Sequence, residues 1–290
     1  MTTASYMPEL PPEIISQILP HMSQQSLSRT SSTCRWLLAE CAPLLYRDIT
    51  IHGPAHAEQL LWVSSNKVTH ESESNPSIEP FLALSQIESL TLHLGPPQFR
   101  PPNVYLDRIS RTQSLAIIPL RSLHLVLRPD TGTYTSFLAL FCPLHLTISR
   151  EGHNPSARSA YFPMFLHPTR TSAADSVLQS WTSLKSITLV DCYPLSVSTG
   201  FFLFESVIFE EPVEIIFDFT NAGQNTGTDE VMFKLLFTNI MTKGVTRVSN
   251  LGKLVIKVGS EEDRKVVEEG RRLVHGFEAI DRAEVVLVTN

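Results

Sequence analysis

A chain of 290 residues with 42% hydrophobic residues has enough apolar material for one large domain or two ordinary ones. Its net charge of −6 argues against non-specific nucleic-acid binding, which needs a dense basic face. The longest apolar run lies around Phe137–Leu146 and is broken by Pro143, so no membrane span is expected.

The first predicted element is a helix opening at Pro11 and Pro12. Prolines suit a first helical turn because their missing N–H groups would be unpaired there anyway. Glu13 sits at the positive end of the helix dipole. Ile14, Ile15, Ile18, Leu19 and Met22 recur at helical spacing, and Pro20 tightens or ends the helix. A second short helix is expected over Ser26–Ser31, with Leu27 as its one strongly apolar residue. A third is expected from about Thr33 to Cys41, with Cys34, Leu37, Leu38 and Cys41 as its inner face. Trp36 lies roughly 100–160° around the helix from Leu37 and Cys34, off that face. Three helices in so short a stretch bury little surface, so the unit must lean on the rest of the chain or on a partner.

The stretch LPPEIISQILPHMSQQSLSRTSSTCRWLLAECAPLLYRDITI resembles an F-box. Leu10-Pro11-x-Glu13-Ile14-Ile15-x-x-Ile18 is similar to the family's opening signature. Leu27 falls where the family has the Leu of Asp-Leu, and Cys34-Arg35 matches the Cys-Arg of its third helix. Pro43-Leu44-Leu45-Tyr46-Arg47 resembles the exit segment of fungal members. The sequence departs from the pattern at Ser26, Thr30 and Thr33, and Trp36 comes one residue early. The resemblance implies an F-box-like helical unit over residues 1–47 that docks on a Skp-type adaptor and, through it, a cullin scaffold. The implied adaptor-binding residues are Leu10, Pro11, Ile14, Ile15, Ile18, Leu27, Cys34, Arg35, Trp36 and Leu37. A rival reading makes the unit a mere cap on the following region.

Beyond Arg47, Ile49 and Ile51 alternate with polar residues, as in a strand. A helix-like segment at His56–Val63 and a Ser-rich loop follow. A short motif then recurs: Ile87-x-x-Leu90-x-Leu92, Leu120-x-x-Leu123-x-Leu125, Leu184-x-x-Ile187-x-Leu189-x-x-Cys192 and Leu251-x-x-Leu254-x-Ile256. This is the L-x-x-L-x-L core of a leucine-rich repeat. Leu144-x-Leu146-x-Ile148, Val213–Phe219 and Ala283–Val288 read as further strands. Ala174–Trp181, Glu230–Thr242 and Glu261–Phe277 read as helices, the last capped by Ser260 with Asp263 three residues on. Strand and helix in alternation predict parallel strands with helices across them. The expected fold class is therefore α/β: a three-helix unit, then an irregular leucine-rich-repeat-like solenoid over residues 48–290. A compact α/β domain is the alternative.

Charge is unevenly spread. Between Arg100 and Arg170 lie eight arginines but only Asp107, Asp130 and Glu151, and no lysine occurs between Lys67 and Lys185. Such a segment is either solvated surface or a face for an acidic or phosphorylated partner. Cys34, Cys41, Cys142 and Cys192 form no C-x-x-C pair and read as reduced thiols. The N-terminus lacks the layout of a signal peptide, and a cytoplasmic or nuclear location is expected.

Signals for catalysis are poor. G-x-G-x-x-G, Walker A, G-x-S-x-G and H-E-x-x-H are all missing. His52 and His56 are separated by Gly53-Pro54 and read as loop imidazoles rather than a metal pair. His93, His124 and His145 each sit in a strand-like alternation, on a polar face. No cofactor and no metal are expected, and the chain reads as a non-enzymatic recruiter of a protein substrate that the sequence leaves unidentified.

Overall fold

The computed structural model of the protein describes residues 11–52, 86–94, 118–127, 138, 141–150, 181–190, 209–220, 250–273 and 283–288. The chain divides into two compact units. One comprises Met1–Ile49 with Val63–Glu88; the other comprises Thr50–Trp62 with Ser89–Asn290. Among the described residues, no helix is long and apolar enough to cross a membrane.

The first unit carries helix α1 (Pro12–Ile18), a 3-10 turn (Leu19–His21), α2 (Gln24–Ser31) and α3 (Arg35–Tyr46). Pro11 is the N-cap of α1, and its carbonyl accepts from the amides of Ile14 and Ile15 at 3.0 and 3.2 Å. Pro20 lies inside the 3-10 turn, where the tighter winding ends α1. Ser23 caps α2 by accepting from the Ser26 amide at 3.2 Å. Serine at 26 thus serves in the cap. Three hydroxyls then close the far end of α2: Ser31, Ser32 and Thr33 donate to the carbonyls of Ser28, Arg29 and Thr30.

Two expectations about the third helix need correction. Cys34 is not on an inner face; its backbone is extended (φ −156°, ψ 163°), it is the N-cap of α3, and it is exposed. The reason is the turn just described, which uses up residues 32–34 before a helix can start. Nor does the helix stop at Cys41. It runs through Pro43 to Tyr46, although a proline inside a helix costs about 3 kcal/mol or more. Leu38, Cys41, Ala42 and Leu45 form an i, i+3, i+4, i+7 stripe, of which Cys41 and Ala42 are buried and the leucines half-buried. Packing of that stripe outweighs the local break.

The second unit is built on a sheet. Strands β1 (Asp48–His52), β2 (Ser89–Leu94), β3 (Ile118–Leu127), β4 (Phe141–Arg150), β5 (Ser186–Val190), β6 (Val213–Phe219), β7 (Leu251–Val258) and β8 (Glu284–Leu287) lie side by side in chain order. Every pair from β2 to β8 is parallel. The fold is thus α/β, a helical unit followed by an eight-stranded sheet. A doubly wound sheet would reverse its strand order at a switch point; this one does not.

The register explains the recurring leucines. Leu90, Leu123, Leu146, Ile187, Ile215 and Leu254 are successive partners across six strands. Leu92, Leu125, Ile148, Leu189, Phe217 and Ile256 form a second row, and all twelve are buried. Each such side chain contributes roughly 1.5–3 kcal/mol on burial. Ile87, Leu120 and Leu184, which lead three copies of the motif, are also buried; Leu251, which leads the fourth, is half-buried. Helix α4 (Glu261–Leu273) packs on β7 and β8, burying Val266 and Val267. Its amide at Asp263 donates to Ser260 Oγ at 3.1 Å, and Ser260 Oγ donates to Asp263 Oδ2 at 2.6 Å.

Between β6 and β7 the register slips by one residue at Gly252, a bulge. A Cβ there would stand 2.8 Å from Pro212 Cβ. Asn250, at φ 60°, leads into the bulge and donates through Nδ2 to the carbonyls of Phe209 and Glu210. Trp181, expected to end a helix, is buried in a non-helical segment. The rest of Ala174–Trp181, together with Glu230–Thr242, His56–Val63 and Cys192, lies outside the described residues.

Candidate docking site

The helical unit has a small core. Leu19, Leu27 and Cys41 are buried, with Ile15, Met22, Leu44 and Leu45 packed against them. Burial raises the pKa of the Cys41 thiol, with the Glu40 carboxylate adding to the shift, so this sulfur behaves as an inert apolar group. Ser16 Oγ donates to Glu40 Oε2 at 3.3 Å, tying α1 to α3.

Helix α1 and the 3-10 turn that follows it therefore carry two apolar stripes. Ile15 and Leu19, four residues apart, serve the core. Ile14 and Ile18, also four apart, lie about 100° around the helix from the first pair and face away from it. Ile14 is 41% exposed and Ile18 45% exposed. Trp36, in the first turn of α3, is 39% exposed. Among the described residues, these three are the exposed large hydrophobics, and all belong to the helical unit. Single exposed apolar residues are ordinary on a protein surface. Here the strand region shows none among its described residues while a small helical unit shows three.

The other sequence-derived site residues divide as follows. Pro11 and Arg35 are exposed at the starts of α1 and α3, and Cys34 is exposed beside Arg35. Leu37 is half-buried, Ile15 is half-buried against the core, and Leu27 is a core residue. Leu10 lies outside the described residues. Leu44 and Leu45 also pack against the core, although Pro43 reads as an exit; their signal is the seven-residue spacing from Leu37 and Leu38 respectively.

The sequence model of the F-box-like family matches residues 7–52. The chain carries an F-box-like domain. The match spans the helical unit and β1 and ends before β2. No curated protein matches the chain significantly. F-box-like domains generally bind Skp-type adaptors, act within ubiquitin ligases and are typically non-catalytic.

The second unit offers a different surface. Opposite the leucine rows, the outer face of the sheet carries Ser89, Thr91 and His93 on β2, Ser122 and His124 on β3, His145, Thr147 and Ser149 on β4, and Ser186 and Thr188 on β5. Ser122 Oγ donates to Ser89 Oγ at 2.9 Å. His124 Nε2 bonds Ser149 Oγ at 2.7 Å, and His145 Nδ1 bonds Ser186 Oγ at 2.8 Å. His52 is not a loop imidazole. It ends β1, with its ring centroid 4.3 Å from that of His93. His56 lies outside the described residues. Among the described residues, no group of three or more His, Cys, Asp or Glu could hold a metal ion.

Proposed function

We propose that this protein is a substrate-recruiting subunit of a Skp–cullin–F-box ubiquitin ligase, working in the cytosol or nucleus. The F-box-like domain docks on the Skp-type adaptor through Ile14, Ile18 and Trp36, with Pro11, Arg35 and Leu37 at the margin. The strand region, read as an irregular leucine-rich-repeat solenoid of the kind found behind fungal F-boxes, holds the target protein. The chain contributes recognition, and the ubiquitin chemistry belongs to its partners.

The observation that carries this reading is the exposure of Ile14, Ile18 and Trp36 within the F-box-like domain. A helical unit that only capped a solenoid would leave that exposure unexplained. The test is binding of the full chain to a Skp-type adaptor, with Ile14→Asp and Trp36→Ala as variants. Each variant is expected to weaken binding by about 2 kcal/mol or more, roughly thirtyfold, while the fold is kept. Undiminished binding by both variants would place the docking face elsewhere.

A further inference from the structure

The link between α2 and α3 is built almost wholly from hydroxyl residues. From Ser23 to Thr33 the sequence reads SQQSLSRTSST, and from Ile14 to Ala39 it holds no Asp, Glu or Lys. The permanent charges in that stretch are Arg29 and Arg35, both exposed. Ser32 stands at its centre. It is the C-cap of α2 and is exposed, and the Arg29 carbonyl accepts from its Oγ at 2.7 Å and from its amide at 3.3 Å. Two residues on, Cys34 begins α3, whose first turn carries the exposed Trp36.

We propose that Ser32 is the acceptor site of an arginine-directed protein kinase, and that its phosphorylation releases the F-box-like domain from the adaptor. This rests on the reading above, in which Trp36 and its neighbours dock. Among the hydroxyls of the link, Ser32 alone has an arginine three residues before it. Arg29 can pair with carboxylates in a kinase groove, and no carboxylate of this stretch competes with it. The last turn of α2 is closed by exposed hydroxyl bonds, so it can open to enter the groove. The kinase base takes the Ser32 hydroxyl proton, Oγ bonds to the γ-phosphorus of ATP, the bond to the β-phosphate oxygen breaks, and ADP leaves.

Three consequences share one sign. The modified Oγ no longer donates to the Arg29 carbonyl. The phosphate brings a charge of about −1.5 to −2 to the carbonyl end of α2, where the helix dipole is already negative. Arg35, three residues on, is drawn toward that phosphate and away from the adaptor, and Trp36 must then dock beside a dianion that has to shed water. A phosphate on Ser23 would do the reverse to the helix, because Ser23 caps the positive end of α2.

The test is calorimetric titration of a purified Skp-type adaptor with the full chain carrying phosphoserine at position 32, installed through an amber codon. The unmodified chain, Ser32→Ala and the chain with phosphoserine at position 23 are the comparisons. Phosphorylation at Ser32 is expected to weaken binding about tenfold or more, and phosphatase treatment to restore it. Ser32→Ala, which loses the donor without gaining charge, and phosphorylated Ser23 should each stay within about threefold of the unmodified chain. In a second arm, an arginine-directed kinase with ATP should modify Ser32 of the full chain, read by mass spectrometry, and Arg29→Gln should lose most of that incorporation. The proposal is overturned if phosphorylated Ser32 leaves binding unchanged or tightens it, if phosphatase does not restore binding, if phosphorylated Ser23 weakens it equally, or if the kinase ignores Ser32 or needs no Arg29. An unmodified chain that fails to bind the adaptor removes the docking reading and this switch together, whereas unmodified and phosphorylated chains that bind alike remove the switch alone.

Discussion

Leu27 and Ile18 are similar in size and sit on neighbouring elements of one small unit, yet they do opposite jobs. Leu27 is 4% exposed and fills the core; Ile18 is 45% exposed. Leu27→Ala should destabilise the unit by about 2–5 kcal/mol, read as a lower denaturation midpoint. Ile18→Ala should move that midpoint by about 0.5 kcal/mol or less and weaken adaptor binding instead. Equal effects of the two on stability would contradict the division of α1 into an inner and an outer stripe. His124 supports a second prediction. Its pKa is depressed in the fold, so the unfolded chain binds more protons below the ordinary imidazole value of 6.5. The stability linked to this group is therefore present above that pH and is lost as pH falls toward the depressed value. Urea melts of wild type and His124→Gln should diverge across that window, with the variant less sensitive to acid.

At the scale of elements, period and punctuation were largely legible. The spacing in LPPEIISQIL gave α1, the L-x-x-L-x-L copies gave strands β2, β3, β5 and β7, and Ser260 with Asp263 gave the start of α4. Failures came where a local rule met a tertiary one. Pro43 reads as a stop, but the stripe Leu38, Cys41, Ala42, Leu45 is packed and the helix continues. Cys34 reads as an inner residue because it completes an i, i+3, i+4, i+7 spacing with Leu37, Leu38 and Cys41; three hydroxyl-to-carbonyl bonds at the end of α2 place it in a turn instead. Pairing order and register were not legible, because period-two alternation says which side faces in and nothing about the neighbour. His52 beside His93 was therefore invisible from sequence. Close approach of two segments is equally hidden. A Cβ on Gly259 would collide with the Thr220 carbonyl oxygen. Gly259→Ala should cost about 1–3 kcal/mol, whereas alanine at an exposed loop glycine without such a neighbour should be near neutral. A neutral Gly259→Ala would refute the contact.

The whole molecule pairs an F-box-like domain that exposes apolar side chains with a parallel sheet that hides its own and turns a hydroxyl and imidazole face outward. The two surfaces have different physics. Apolar docking of the first should be insensitive to salt and should bury surface with a negative heat-capacity change. An adaptor that binds the folded chain alone should also raise its unfolding temperature by mass action. Isothermal titration calorimetry of the full chain with a purified Skp-type adaptor, over several temperatures, is the most direct test. The account predicts a one-to-one complex with negative heat-capacity change for wild type, abolished when Ile14→Asp and Trp36→Ala are combined. No binding by wild type, or equal binding by the double variant, would contradict it.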